Sequence, residues 1–246
     1  MRTALLLALF YAPLVFSEAP AAPDIPSTTE APTAVSQGNW TGYYAGVVSG
    51  AQFGSSSDTT GALGYNADNQ TWNYATSGLN VAAQIGYATL WKGLIVGPEF
   101  EMGYLGLNGS GAQPGSPGSD TVGSSSGDFH AALRARVGMD LNRSLIFATA
   151  GLMVVNRQMQ VVDACAVAPC GGSTVSAVSK ALAPGFTMGA GIEHSFWENF
   201  SVKLEYLYLL LGSGSFSGTT NLGNTYQWSG SSSGDVLRLG FNYHFE

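Results

Sequence analysis

Charge is what this sequence has least of: Asp, Glu, Lys and Arg make up 10% of its 246 residues, against roughly 25% in soluble proteins. That is too little to cover an ordinary globular surface. Basic residues are the scarcer sign, nine Lys and Arg against sixteen Asp and Glu, for a net charge of −7. They are also scattered, and phosphate backbones are held by clustered Lys or Arg, so nucleic acid is excluded as a partner. Long apolar runs are absent too, since none reaches the ~18 to 20 residues that a spanning helix needs. If this chain enters lipid, it does so as strands.

Cysteine is nearly absent as well. The two present, Cys165 and Cys170, lie in one segment, Cys-Ala-Val-Ala-Pro-Cys, which in an exported protein reads as a loop disulfide that stiffens the loop tip. A metal centre needs more ligands than that, and no His lies near them in sequence, so neither a metal nor another cofactor is expected. The three histidines, His130, His194 and His244, are far apart in the chain. His194 and Ser195 look like a base and a nucleophile, but neighbours on a strand point to opposite faces, so the chain is not expected to be an enzyme.

What is present begins with the N-terminus. Arg2 precedes a short apolar stretch, Ala4 to Phe16, and then small residues, Ala19-Pro20-Ala21. That is the layout of a secretory signal peptide, expected over 1–21 with cleavage after Ala21. No cysteine is near, which excludes a lipoprotein anchor. Residues 22–38 are rich in Pro, Ala, Ser and Thr without apolar periodicity and read as a disordered leader. Residues 39–246 are then the folded domain.

At the far end of that domain, Leu237, Leu239, Phe241, Tyr243 and Phe245 share one face of a strand, opposite Arg238, Gly240, Asn242 and His244. A final strand with an apolar face reads as the closing strand of an outer-membrane barrel. Period-two segments recur at roughly 40–53, 77–90, 94–106, 128–141, 144–155, 180–194, 200–211 and 234–245, eight in all, each at least the ~9 to 11 residues of a tilted membrane strand. The connections alternate between short (91–93, 142–143, 196–199) and long (55–76, 108–127, 156–179, 212–233). This asymmetry predicts an all-β, eight-stranded antiparallel transmembrane up-and-down β-barrel, with long mobile loops outside the cell and both termini periplasmic.

Charged residues avoid the apolar faces. An Arg facing lipid near the midplane costs ~2 to 4 kcal/mol, so His130, Arg134, Arg136 and Asp140 must face the lumen, as must Glu99 and Glu101. In an antiparallel pair the partner numbers have a constant sum, and Glu99 with Arg136 shares its sum with Glu101 and Arg134. Glu193 and Lys203 flank a short turn symmetrically, and Glu205 is in reach of Arg238. Glu99, Glu101, Arg134, Arg136, Glu193, Lys203, Glu205 and Arg238 are therefore expected to form an ion-pair network that fills the lumen, because eight strands leave room for little more than their own side chains. Trp40, Trp91, Tyr104, Trp197, Phe200, Tyr208 and Tyr243 are expected in interfacial girdles.

Six segments together resemble a known family: Trp40-Thr-Gly-Tyr-Tyr-Ala-Gly46, Arg136-Val-Gly-Met-Asp140, Ile146-Phe-Ala-Thr-Ala-Gly-Leu152, Gly189-Ala-Gly-Ile-Glu193, Lys203-Leu-Glu-Tyr-Leu-Tyr208 and Gly240-Phe-Asn-Tyr-His-Phe245. The resemblance is to the small outer-membrane β-barrels of Gram-negative bacteria that include the outer-membrane immunogenic proteins, and it spans the domain. It implies a porin-like surface antigen that contributes to envelope integrity, with membrane lipid, lipopolysaccharide and the barrel-assembly machinery as partners. Tyr243 and Phe245 would be the C-terminal assembly signal, although here Glu246 follows the terminal aromatic, and the Cys165 to Cys170 segment is not general in that family. Three functions fit: a structural barrel with at most small-ion conductance, a small-solute diffusion porin, or a receptor or adhesin using loop aromatics at Trp72, Tyr74, Tyr226 and Trp228.

Overall fold

The computed structural model describes residues 39–62, 69–115, 121–164 and 172–245. The expected signal segment and leader, the Cys165 and Cys170 pair and Glu246 lie outside these residues. The strands are β1 (Gly42–Thr60), β2 (Thr71–Trp91), β3 (Leu94–Leu105), β4 (Asn108–Ala112), β5 (Thr121–Leu141), β6 (Ser144–Ala164), β7 (Thr174–Trp197), β8 (Phe200–Thr219) and β9 (Thr225–His244). All pairings are antiparallel, and β1 pairs with both β2 and β9, so the sheet closes on itself at the level of the turn rim and the apolar belt. β3 and β4 share one place in the ring, separated by a step at Gly106 and Leu107. The described residues thus form an all-β barrel of eight staves built from nine strands.

Tight turns gather at one rim. Trp91 pairs with Leu94 around Lys92 (φ 51) and Gly93 (φ 84), the two positive values of a type I′ hairpin. Leu141 pairs with Ser144 around Asn142 (φ 64). Above this rim the outward face of every stave is apolar: Tyr43, Val47 and Phe53 on β1, Leu133, Val137 and Met139 on β5, and Leu237, Leu239 and Phe241 on β9 are all exposed. Such a belt suits lipid and would be costly in water.

The staves run well past the belt. Apart from the divided β3 and β4 they span 19 to 24 residues, roughly twice the ~9 to 11 that cross a membrane. The segments expected as mobile loops are largely strand, because alternation continues there in the opposite phase. Ser57, Thr59 and Asn73 face outward, while Trp72, Tyr74, Phe216 and Trp228 turn inward and are buried. Polar outside and apolar inside is the pattern of a sheet in water, so the part above the belt is a head built for an aqueous setting.

That head is divided in two. Pairing between β7 and β8 runs from the turn rim to Gly185↔Leu211 and stops, although both strands continue. Pro184, which has no N–H, and a bulge between Leu211 and Gly214 sit where it stops. On the opposite side of the ring β2 and β4 share a single pair, Ser77↔Asn108. Above these two seams the ring becomes two four-stranded leaves, β8-β9-β1-β2 and β4-β5-β6-β7, each continuously paired. Trp72, Tyr74, Phe216 and Trp228 of the first leaf pack on Met159, Val161, Val175 and Ala177 of the second, as in a two-sheet sandwich.

Candidate functional site

The inward face of β6 gives the layering of the lumen in one pass. Leu145 belongs to a floor with Trp40, Tyr44, Ala88 and Ile95. Met153 and Val155 join Leu105, Leu107, Leu207, Leu209, Leu211 and Val236 in a middle apolar layer. Arg157 follows, and then Met159 and Val161 of the head core. Between floor and middle layer, at the height of Phe147 and Thr149, lie the charges.

Four carboxylates and four cations meet there, each at most 6% exposed. Arg134 pairs with Glu99 and, at 2.8 Å, with Glu101. Arg238 reaches Glu101 at 2.6 Å and Glu205 at 2.7 Å. Lys203 lies 3.3 Å from Glu205 and 3.5 Å from Glu99, and donates to Gln84 Oε1 at 2.7 Å. Arg136 pairs with Glu193 and lies 3.9 Å from Glu99, with its guanidinium 3.9 Å from the centre of the Phe147 ring. The signs balance, as burial demands: an isolated charge in such a place costs several kcal/mol, while a paired and hydrogen-bonded one is tolerated.

The eight charged side chains proposed from sequence all point into one layer, and Glu101 with Arg134, Glu99 with Arg136 and Glu205 with Arg238 lie within ion-pair distance, but the backbone register beneath the first two differs from the one expected. Glu99 faces Arg134 and Gly97 faces Arg136, so the β3–β5 register is two residues away from the one that joins Glu99 to Arg136 and Glu101 to Arg134 across the ladder. A slip of two keeps every side chain on its face, so alternation cannot detect it. Arg136, without Glu99 opposite, reaches across to Glu193. Glu193 and Lys203 are backbone partners, yet the ammonium turns to Glu99, Glu205 and Gln84. Glu205 and Arg238 are partners in both senses.

Several members were missed. Tyr44 donates to Glu99 at 2.9 Å, Asn242 to Glu193 at 2.6 Å, and Ser201 also to Glu193. His130 lies 2.9 Å from Glu101 and His244 3.3 Å from Glu193. All occupy inward positions, so the alternation that found the charges also marked them. His194 faces outward beside Ser144 Oγ at 2.9 Å, whereas Ser195 is buried and donates to the Trp197 carbonyl.

The aromatics need two corrections. Trp40, expected in a girdle, is 4% exposed and donates to the Asn142 carbonyl, so it closes the floor. Trp72, Tyr74 and Trp228, expected on ligand-holding loops, are buried in the head, and Tyr226 packs against them. Trp91, Tyr104, Trp197, Phe200 and Tyr243 do face outward. Tyr243 and Phe245 stack edge to face at 5.0 Å on that surface.

The cavity bounded by Asn80, His130, Thr187, Leu207, Val236 and Arg238 is about 10 Å³, room for about one water. Above the belt, Arg157 donates to the Gly212 and Gly230 carbonyls at 3.0 and 3.3 Å, and Asp58 accepts from Tyr74 at 3.0 Å. Burial pushes the Asp58 carboxyl up to about 6 and lowers Arg157.

Comparison with known proteins places this architecture. Among solved structures, OprG from Pseudomonas aeruginosa is similar at a TM-score of 0.54 and 13% identity, over 85% of this chain and 99% of that one. The outer membrane protein AlkL, solved in lipid bilayers, gives 0.48 and 13% over 92% and 97%. The protease OmpT from Escherichia coli gives 0.45 and 9% over 83% and 97%. No curated protein sequence matches. The family model described as "Outer membrane protein beta-barrel domain" matches residues 12–245. Because that match takes in every stave of the ring, the chain belongs to the outer membrane protein beta-barrel family.

Proposed function

We propose that this barrel is a structural, non-enzymatic protein of the outer membrane, an anchor whose membrane-level lumen is closed, which holds a β head outside the cell and passes at most small ions. The alternation of apolar and ion-paired layers carries this reading. A solute moving through would have to separate the floor, then the balanced charges, then the middle layer and the head core. A diffusion porin needs a continuous water path, and these layers interrupt it at four heights.

The tight-turn rim and both termini are assigned to the periplasm and the head to the exterior. Short turns inside and long excursions outside are usual for such barrels. Tyr243 and Phe245, outward near the turn rim, suit recognition by the assembly machinery. The hydroxyl and amide groups on the outer face of the head, such as Ser57, Thr59 and Asn73, suit contact with lipopolysaccharide sugars. A receptor or adhesin role, if added, would use this outer face and not the buried aromatics.

Liposome swelling tests the reading. Vesicles carrying the refolded protein are expected to stay as tight to small sugars as protein-free vesicles. Swelling at rates typical of porins would overturn it.

A further inference from the structure

The head has a feature that an anchor does not require: above the seams the ladder between its two leaves is interrupted, and among the described residues these polar contacts join them. At the β2–β4 seam, Trp72 Nε1 donates to the Gly111 carbonyl at 3.2 Å and Gln113 donates to Gln70 at 2.7 Å. At the β7–β8 seam, Asn221 N donates to the Thr174 carbonyl at 3.1 Å and Thr174 N to Asn221 Oδ1 at 2.9 Å. Between them, inside the head, Arg157 of one leaf donates to Gly212, Gly230 and Ser232 of the other. Register irregularities at Gly127/His130 and Leu211/Gly214 lie at the base of the head, where extra residues let strands bend.

Asp58 of β1 also crosses from leaf to leaf. A Cβ on Gly123 of β5 would fall 2.2 Å from its Oδ2, and one on Gly230 of β9 would fall 2.4 Å from its Oδ1. The carboxylate is 1% exposed, and Oδ1 has no hydrogen-bond partner. Among the described residues, β2 presents Tyr74 and Trp72 toward it, β6 presents Arg157 and Met159, and β5 and β9 present glycine.

We propose that the head is an acid-closed clasp: its two leaves part along the seams as units, and protonation of Asp58 favours the closed form. Parting would let water reach Asp58 and the aromatic face of Trp72, Tyr74, Phe216 and Trp228.

The sign follows from linkage. In the closed head burial raises the Asp58 carboxyl to about 6, whereas a solvated Asp sits near ~3.9. The closed form therefore binds the extra proton, gains stability as pH falls through about 6, and loses that gain as pH rises. Tyr74 and Arg157 both oppose the shift without cancelling it.

The test is fluorine NMR on the full chain labelled with fluorotryptophan and refolded in micelles, with Trp72→Phe and Trp228→Phe assigning the signals. A soluble paramagnetic chelate reports water access. Broadening of the Trp72 and Trp228 signals is expected to rise about threefold or more between about pH 5 and about pH 7.5, with the lipid-facing Trp91 unchanged. Asp58→Asn is expected to stay protected at both values. Equal protection of the wild type at both values, greater access in acid, or an Asp58→Asn variant that titrates like the wild type would overturn the proposal. If Asp58→Asn fails to fold, Tyr74→Phe serves instead. It removes a hydrogen bond that favours the carboxylate, so the transition must move to higher pH, and an unmoved transition overturns the proposal equally.

Discussion

Glu101 shows at the scale of one residue how the lumen is held together. Its carboxylate meets Arg134, Arg238 and His130 at 2.8, 2.6 and 2.9 Å, so removing it weakens three contacts at once. Breaking a buried ion pair costs about 3 to 5 kcal/mol, because the partner is left charged and unpaired. Glu101→Ala is therefore expected to lower the denaturant midpoint of the refolded barrel clearly. Ser217→Ala, at an exposed position of the head, is expected to stay within about 0.5 kcal/mol of wild type. Equal midpoints for the two would refute the structural role of the layer. That Glu101 faces inward was legible in the sequence, because lipid forbids a charge on the other face. Its pairing with Arg134 was legible too, whereas Arg238, on a strand that is not its neighbour, was not, because alternation fixes the face of a side chain and not what it meets across the lumen.

At the scale of the element, β9 changes environment partway along a single face. Ser229, Ser231 and Ser233 point outward in the head, and Leu237, Leu239 and Phe241 point outward in the belt. An Arg at the middle of the belt is expected to cost about 2 to 4 kcal/mol in a bilayer, whereas one in the head meets water. Leu239→Arg should thus unfold at distinctly lower denaturant than wild type in lipid vesicles, while Ser231→Arg should not. A matching loss in both would mean that the belt extends higher than Asp235. This inversion also explains what sequence reading recovered and what it missed. The belt segments stood out because their apolar residues alternate with polar ones in the phase that lipid selects. The head segments read as loops because Gly, Ser and Thr dominate them, and their inward aromatics, Trp72, Tyr74, Phe216 and Trp228, alternate in the opposite phase. The step at Gly106 and Leu107 that divides one stave into β3 and β4 left no mark in the periodicity at all.

At the scale of the whole molecule, the same ring of staves meets two solvents. In the belt it is apolar outside and ion-paired inside. In the head it is polar outside and aromatic inside, and there the ring separates into two leaves. In the proposed reading the lumen is closed by charge balance in the belt and by apolar packing in the closed head, so no single substitution among these layers is expected to open a path from rim to rim. Arg136→Ala, for example, would enlarge the ionic layer but leave Leu207, Leu209 and Val236 across the way. The most direct test of closure is single-channel conductance of the refolded protein in a planar bilayer, with folding confirmed by its altered gel mobility without boiling. A folded protein that stays silent, or shows only steps far below the nanosiemens scale, is the predicted result. Steady nanosiemens openings would contradict it, because they require a hydrated path through the layers described above.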